Sequence, residues 1–188
     1  MTGSVKAMRA TVTLGDLTID GFMLPDGSYR MSQTQAAECI GKPEINARRF
    51  LVSKAIKALL GEGYTPDTIE VESDPSQLRG QSRFNALPLT VVTAFWFNQA
   101  TQGNQQAIAL TWAMLTETLE RRFDNAFGIT RPEADRDRQL SAQMAQMESD
   151  LGTAFAEADA AINREKLLEQ QLRDLGVEPW SLPQDEDE

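Results

Sequence analysis

Residues 32–60, SQTQAAECIGKPEINARRFLVSKAIKALL, decide how the chain is read. Ser32 is a good helix N-cap, because its hydroxyl can accept a backbone N–H that helix geometry leaves without a partner. Gln35 stands three residues on, in the capping-box position. The first helix is short: it ends at Ile40, with Gly41 as a left-handed terminator. Lys42-Pro43 forbids continuation, and Pro43 suits the start of a new helix. Glu44 to Leu60 are expected to form that second helix without interruption, closed by Gly61-Glu62-Gly63. Two helices joined by a tight glycine turn make a helix-turn-helix candidate. Ala36 and Ile40 turn inward on the first helix, Ala47 and Phe50 on the second, and Ala37 supplies the small residue that a steep crossing needs.

On a helical wheel Asn46, Arg49, Ser53 and Lys57 share one face, at steps of 3, 4 and 4. These side-chain types suit nucleic acid, since Arg pairs with guanine, Asn with adenine, and Lys and Ser with backbone oxygens. The expected division of labour has Lys42, Arg48, Lys54 and Lys57 anchoring phosphates while Asn46, Arg49 and Ser53 read base edges. Residues 28–61 hold six basic and two acidic side chains, a local excess of positive charge. A plain helical hairpin with a solvated basic face fits the same pattern.

Before this stretch, residues 5–14 and 17–22 alternate apolar and polar around Gly15-Asp16, which reads as a β-hairpin with a two-residue turn. Pro25-Asp26-Gly27 is a second turn, and Tyr29-Arg30-Met31 a short third strand. After it, strands are expected near Thr68–Glu72 and Arg83–Leu87, as a hairpin or wing with a polar connection. Pro88 opens an apolar helix through Thr101, and a further helix from about Gln105 to Phe127 ends at Gly128. Ala107, Leu110, Met114, Leu115, Leu119 and Phe123 are expected as its buried stripe. The run Phe95-Trp96-Phe97, with Trp112, reads as core rather than as a base-stacking platform.

From Glu133 to about Leu175 the chain lacks proline and repeats every seven residues. Leu140, Met144, Met147, Leu151, Leu168, Leu172 and Leu175 fall on the 4-and-3 spacing of a coiled-coil seam, so dimerisation through this helix is expected. Alanines thin the seam in its middle, and Glu165 puts a charge at a core-type position. The expected organisation is an α+β domain over 1–131, a long helix over 132–176 and an acidic, disordered tail over 177–188. Within the domain, the β-hairpin and helix-turn-helix pair are closed by a two-helix layer.

The whole chain has 188 residues and a formal net charge of −10, unevenly spread. Residues 1–132 carry 13 basic and 13 acidic side chains, whereas residues 133–188 carry 5 and 15. Such asymmetry marks a folded domain joined to a charged appendage. There is no histidine, and Cys39 is the only cysteine. Those counts exclude Ser-His-Asp and Cys-His nucleophilic catalysis, His-ligated or paired-Cys zinc sites and an internal disulfide. A carboxylate set at Asp67, Glu70 and Glu72 superficially suits a magnesium nuclease, but no lysine follows Glu70 where that chemistry needs one. The reading is a cytoplasmic, non-enzymatic protein with no catalytic residues, metal, cofactor or membrane span.

A resemblance adds to this. Asp26-Gly27-Ser28-Tyr29-Arg30-Met31-Ser32, then Ala36-Ala37, then Asn46-Ala47-Arg48-Arg49-Phe50-Leu51 resembles the KilA-N and Bro-N domains of phage and viral antirepressor-like proteins. The stretch from Asn104 through Trp112 to Arg121-Arg122-Phe123 is similar to the closing helix of Bro-N, and the likeness spans roughly residues 17–127. The resemblance implies double-stranded DNA binding and regulation of phage or mobile-element genes, with the DNA surface at Arg48, Arg49 and their neighbours. A second class of function stays open: an assembly protein that oligomerises through its long helix and binds no DNA.

Overall fold

A computed structural model describes residues 5–60, 67–71 and 83–180. Five strands close into a small barrel: β1 (Val5–Leu14), β2 (Leu17–Met23), β3 (Tyr29–Ser32), β4 (Asp67–Val71) and β5 (Arg83–Pro88), in ring order β1-β2-β3-β5-β4. Every pairing is antiparallel except the one that closes the ring, where Val5, Lys6 and Ala7 of β1 run parallel to Ile69, Glu70 and Val71 of β4. The first hairpin has the expected register, with Leu14 opposite Leu17 across Gly15-Asp16. The expected wing is therefore not a free-standing hairpin: β4 and β5 complete a barrel with β1 and β3.

Ile19 and Phe22, three apart on β2, point to opposite faces, as odd spacing on a strand requires. Phe22 joins Ala7, Leu24 and Ala86 in one apolar cluster. Ile19, Met31 and Leu87 join the larger core formed with the helices. Those helices are α1 (Gln33–Glu38), α2 (Glu44–Leu51), α3 (Lys54–Leu60), α4 (Leu89–Thr101) and α5 (Gln105–Phe127). Phe95 is fully buried at the centre of this core, with its ring centroid 5.5 Å from that of Phe50. Ser32 caps α1 by accepting the Gln35 N–H at 3.1 Å, and Gly41 takes the left-handed conformation that ends this segment.

The continuous helix expected over residues 44–60 is two. Val52 and Ser53 break it, and the Ser53 hydroxyl donates to the Phe50 carbonyl at 2.7 Å. The Ser53 backbone N–H donates to the same carbonyl at 3.0 Å, so a tight turn and the side-chain bond together take the acceptor that a continuing helix would give to the Lys54 amide.

The stripe expected on α5 is also divided. Ala107 and Leu110 are buried and Met114 is half-buried, but Leu115, Leu119 and Phe123 are exposed. Of the aromatics, Phe95 and Trp96 lie in the core, whereas Phe97 and Trp112 are exposed.

α6 (Glu133–Asp174) is the long helix. The chain divides into two compact units, Met1–Glu148 and Ser149–Glu188, so the first part of α6 belongs to the barrel-containing unit. There Leu140 is buried and Met144 packs on the main core. A buried Asp124 on α5 accepts from Arg131 at 2.8 Å and Arg136 at 3.0 Å. Arg121 reaches Glu133 at 2.6 Å, and Gln139 reaches Glu120 at 3.0 Å. Gly15 supplies a close approach: a Cβ there would lie 2.9 Å from the Ser141 hydroxyl and 3.1 Å from its backbone nitrogen. Leu140 is thus taken up within its own unit, and Met144 in part. Met147 and Leu151 are half-buried, while Leu168, Leu172 and Leu175 in the second unit are exposed. Of the tail expected over 177–188, residues 177–180 are in neither helix nor strand, and residues 181–188 lie outside the described residues.

Candidate nucleic-acid interface

Two long-range hydrogen bonds position the α1–turn–α2 segment. The backbone N–H groups that close α1 bond to the carbonyls of Gln35, Ala37 and Glu38, and none reaches the Ala36 carbonyl. Trp96 Nε1 of α4 donates to it instead, at 2.7 Å and out of contact with water. A buried carbonyl left unpaired would be costly, so Trp96 fixes α4 to the end of α1. Asn104 acts on the turn beyond: its Nδ2 donates to the Ile40 carbonyl at 3.0 Å, while its Oδ1 accepts the Ala107 N–H and caps α5.

With α2 held in this way, Asn46, Arg49 and Ser53 line one cleft of about 240 Å³, together with Phe50 and Ala55. Its other wall is the end of α4, with Asn98, Gln99 and Gln102. The carboxamides form a chain in which Gln99 Nε2 donates to Gln102 Oε1 at 3.1 Å and Gln102 Nε2 donates to Asn98 Oδ1 at 3.2 Å. Among the described residues no carboxylate lines the cleft. The Arg49 side chain is exposed and has no ion-pair partner among the described residues. Ser53 spends its proton on the Phe50 carbonyl and keeps its oxygen lone pairs as acceptors. A donor fork beside carboxamides, without an acid, suits an anionic or base-edge ligand.

The other sequence-derived residues are placed differently. Arg48 is engaged by Glu44 through Nη2, at 2.9 Å to Oε2 and 3.1 Å to Oε1, and Gln33 also bonds to Glu44. Its charge is locally matched, unlike that of Arg49. Lys42 is half-buried in the turn, and Lys54 and Lys57 are exposed on α3. The break at Val52-Ser53 means that Lys57 does not continue the wheel of α2. Asn46, Arg49 and Ser53 still converge, because the chain turns there without leaving the cleft.

The α4 contribution went unseen in the sequence. Its signal was available in the amides Asn98, Gln99 and Gln102 at the end of an otherwise apolar helix.

Asp67 and Glu70 lie on β4, and Glu72 is outside the described residues. Among the described residues no group of three His, Cys, Asp or Glu side chains is placed to hold a metal ion. Cys39 is buried, and burial pushes its thiol up to about 11, which keeps it protonated at neutral pH. Among the described residues no helix is long and apolar enough to cross a membrane. No protein-family model, curated protein or solved structure matches the chain.

Proposed function

We propose that the protein binds double-stranded DNA through α2, the α2–α3 junction and the end of α4, in a regulatory or accessory role. The observation that supports this most is Arg49, an exposed guanidinium without a carboxylate partner among the described residues, in a cleft lined by Asn46 and three carboxamides from the end of α4 and just beyond it. Lys42, Lys54 and Lys57 supply phosphate anchors around it, and Arg48, already paired with Glu44, contributes less. Arg49 and Asn46 are the base-reading pair, with Ser53 in support. Among the described residues of the first unit, no acid from residue 133 onward lines this cleft.

Fluorescence anisotropy with mixed-sequence duplex DNA, at several salt concentrations, tests the proposal. With three lysines on phosphates, log affinity should fall against log salt with a slope of about −3. Arg49→Ala combined with Lys57→Ala should weaken binding at least tenfold and reduce the slope by about 1, with an unchanged melting temperature. Binding that is absent at low salt, or unaltered in the folded double variant, would sink the assignment.

A further inference from the structure

α5 carries a second apolar face that nothing in the first unit covers. Trp112, Leu115, Leu119, Phe123 and Phe127 are 59%, 61%, 57%, 62% and 76% exposed, although the helix around them is regular. Their spacing puts them on one side of the helix, opposite the buried Ala107, Leu110 and Ala113. Scattered single apolar side chains on a surface need no explanation, but a continuous stripe of this size does. At those exposures the five side chains present roughly 650 Å² of surface, using typical aromatic and leucine areas. A standard interface buries about 800 Å² per partner, and Trp112, Leu115 and Leu119 with the neighbouring Phe123 supply about half of that.

We infer that this face is the self-association surface, and that its occupant is the same face of a second copy, packed antiparallel about a two-fold axis level with position 117 of the helix. The sequence of α5 supports that symmetry. Half-buried Ile108, Trp112, Leu115, Leu119, Arg122 and Ala126 follow steps of 4, 3, 4, 3 and 4, a pattern that reads the same in both directions, while Phe123 flanks this seam and Phe127 lies beyond it. An antiparallel pair centred on position 117 places Leu115 against Leu119 of the second copy, and Trp112 against Arg122. Arg122 is the single charge in that seam, and it meets the face of an indole, which attracts a guanidinium. Two-fold packing of one patch on itself closes at a dimer. Glu117 and Arg121, which bond to each other at 2.6 Å, lie off the seam and are not buried by it. This surface is separate from the Arg49 cleft, and the inference stands whether or not DNA binds there.

The test uses the full chain in sedimentation equilibrium. The wild type should be a dimer in the micromolar range. Leu115→Glu with Leu119→Glu should sediment as a monomer while keeping its far-ultraviolet circular dichroism, since both side chains are exposed in the single chain. Leu168→Asp with Leu172→Asp, in the second unit, should remain dimeric. Arg122→Ala should raise the dimer dissociation constant about two- to fivefold, the amount a cation–π contact is worth at an exposed site. A monomeric wild type, a dimer that survives the Leu115/Leu119 change, or dissociation by the Leu168/Leu172 change overturns the inference. If the double glutamate variant fails to fold, Arg122→Ala decides, and an unchanged dissociation constant rejects the antiparallel register.

Discussion

Replacing Trp96 with Phe separates a hydrogen bond from the bulk of the side chain that makes it. The indole Nε1 donates to the Ala36 carbonyl at 2.7 Å, and the backbone at the end of α1 offers that oxygen no other donor. Trp96 is 6% exposed and Ala36 0%, so water does not readily take the donor's place. A buried acceptor left without a partner costs about 1–3 kcal/mol. The smaller ring adds about 1 kcal/mol of lost burial. The sum, about 2–4 kcal/mol, corresponds to a fall in melting temperature of roughly 5–15 °C for a chain of this size. Urea and thermal unfolding followed by circular dichroism measure it, with Trp180→Phe as the control. Trp180 is 79% exposed, and that change should alter stability by no more than about 0.5 kcal/mol. DNA affinity should fall in step, because α1 and its turn set the position of α2. A loss below about 1 kcal/mol at Trp96 would refute the claim that this bond secures the end of α1.

Two further expectations concern the first part of α6. Gly15→Ala should destabilise more than Gly41→Ala, measured by urea midpoint. Both glycines have positive φ, but the added Cβ meets the backbone of Ser141 in one case and only the movable end of Gln106 in the other. Asp124→Asn should lower stability at pH 7, with the deficit shrinking toward pH 3. Burial raises the Asp124 carboxyl, but hydrogen bonds and charge from Arg131 and Arg136 outweigh it and hold the group below its ordinary 3.8. The stabilisation is therefore present above about pH 4 and lost as pH falls through the folded-state value. Equal midpoints for wild type and variant at pH 7 would contradict it.

The local signals in the sequence were legible where one residue type determines the geometry. Gly15-Asp16 set the hairpin register, Ser32 the start of α1, Asn104 and Gly128 the two ends of α5. The α2–α3 break was not legible, because Val52-Ser53 contains neither glycine nor proline and Ser53 acts through a carbonyl three residues back. Apolar periodicity located α5 but could not assign its two faces. The face packed on the core is built partly from small residues, Ala107, Ala109 and Ala113, while larger ones face outward. Heptad spacing in α6 had the same ambiguity, since Leu140 and Met144 satisfy it by packing within their own unit. In the candidate site, Asn46, Arg49 and Ser53 were legible from their 3-and-4 spacing along one stretch of chain. Asn98, Gln99 and Gln102 were not, because they reach the cleft from a distant part of the chain.

The one parallel pairing in the barrel has a consequence for the order in which the chain acquires its structure during synthesis. The β1–β2 hairpin can form within about 1–10 μs of its turn becoming free. Its closing neighbour, residues 69–71, is made about sixty positions later, on the order of 3–12 s at ordinary elongation rates. For that interval the free edge of β1 is an open template for strand addition. Exposed Arg9, Thr11 and Thr13 lie along that strand, and Arg9 is already tied to Asp20 across the hairpin at 2.7 Å. The late segment seals only residues 5–7, and just beyond them the charged Arg9 makes the edge a poorer partner for another nascent chain.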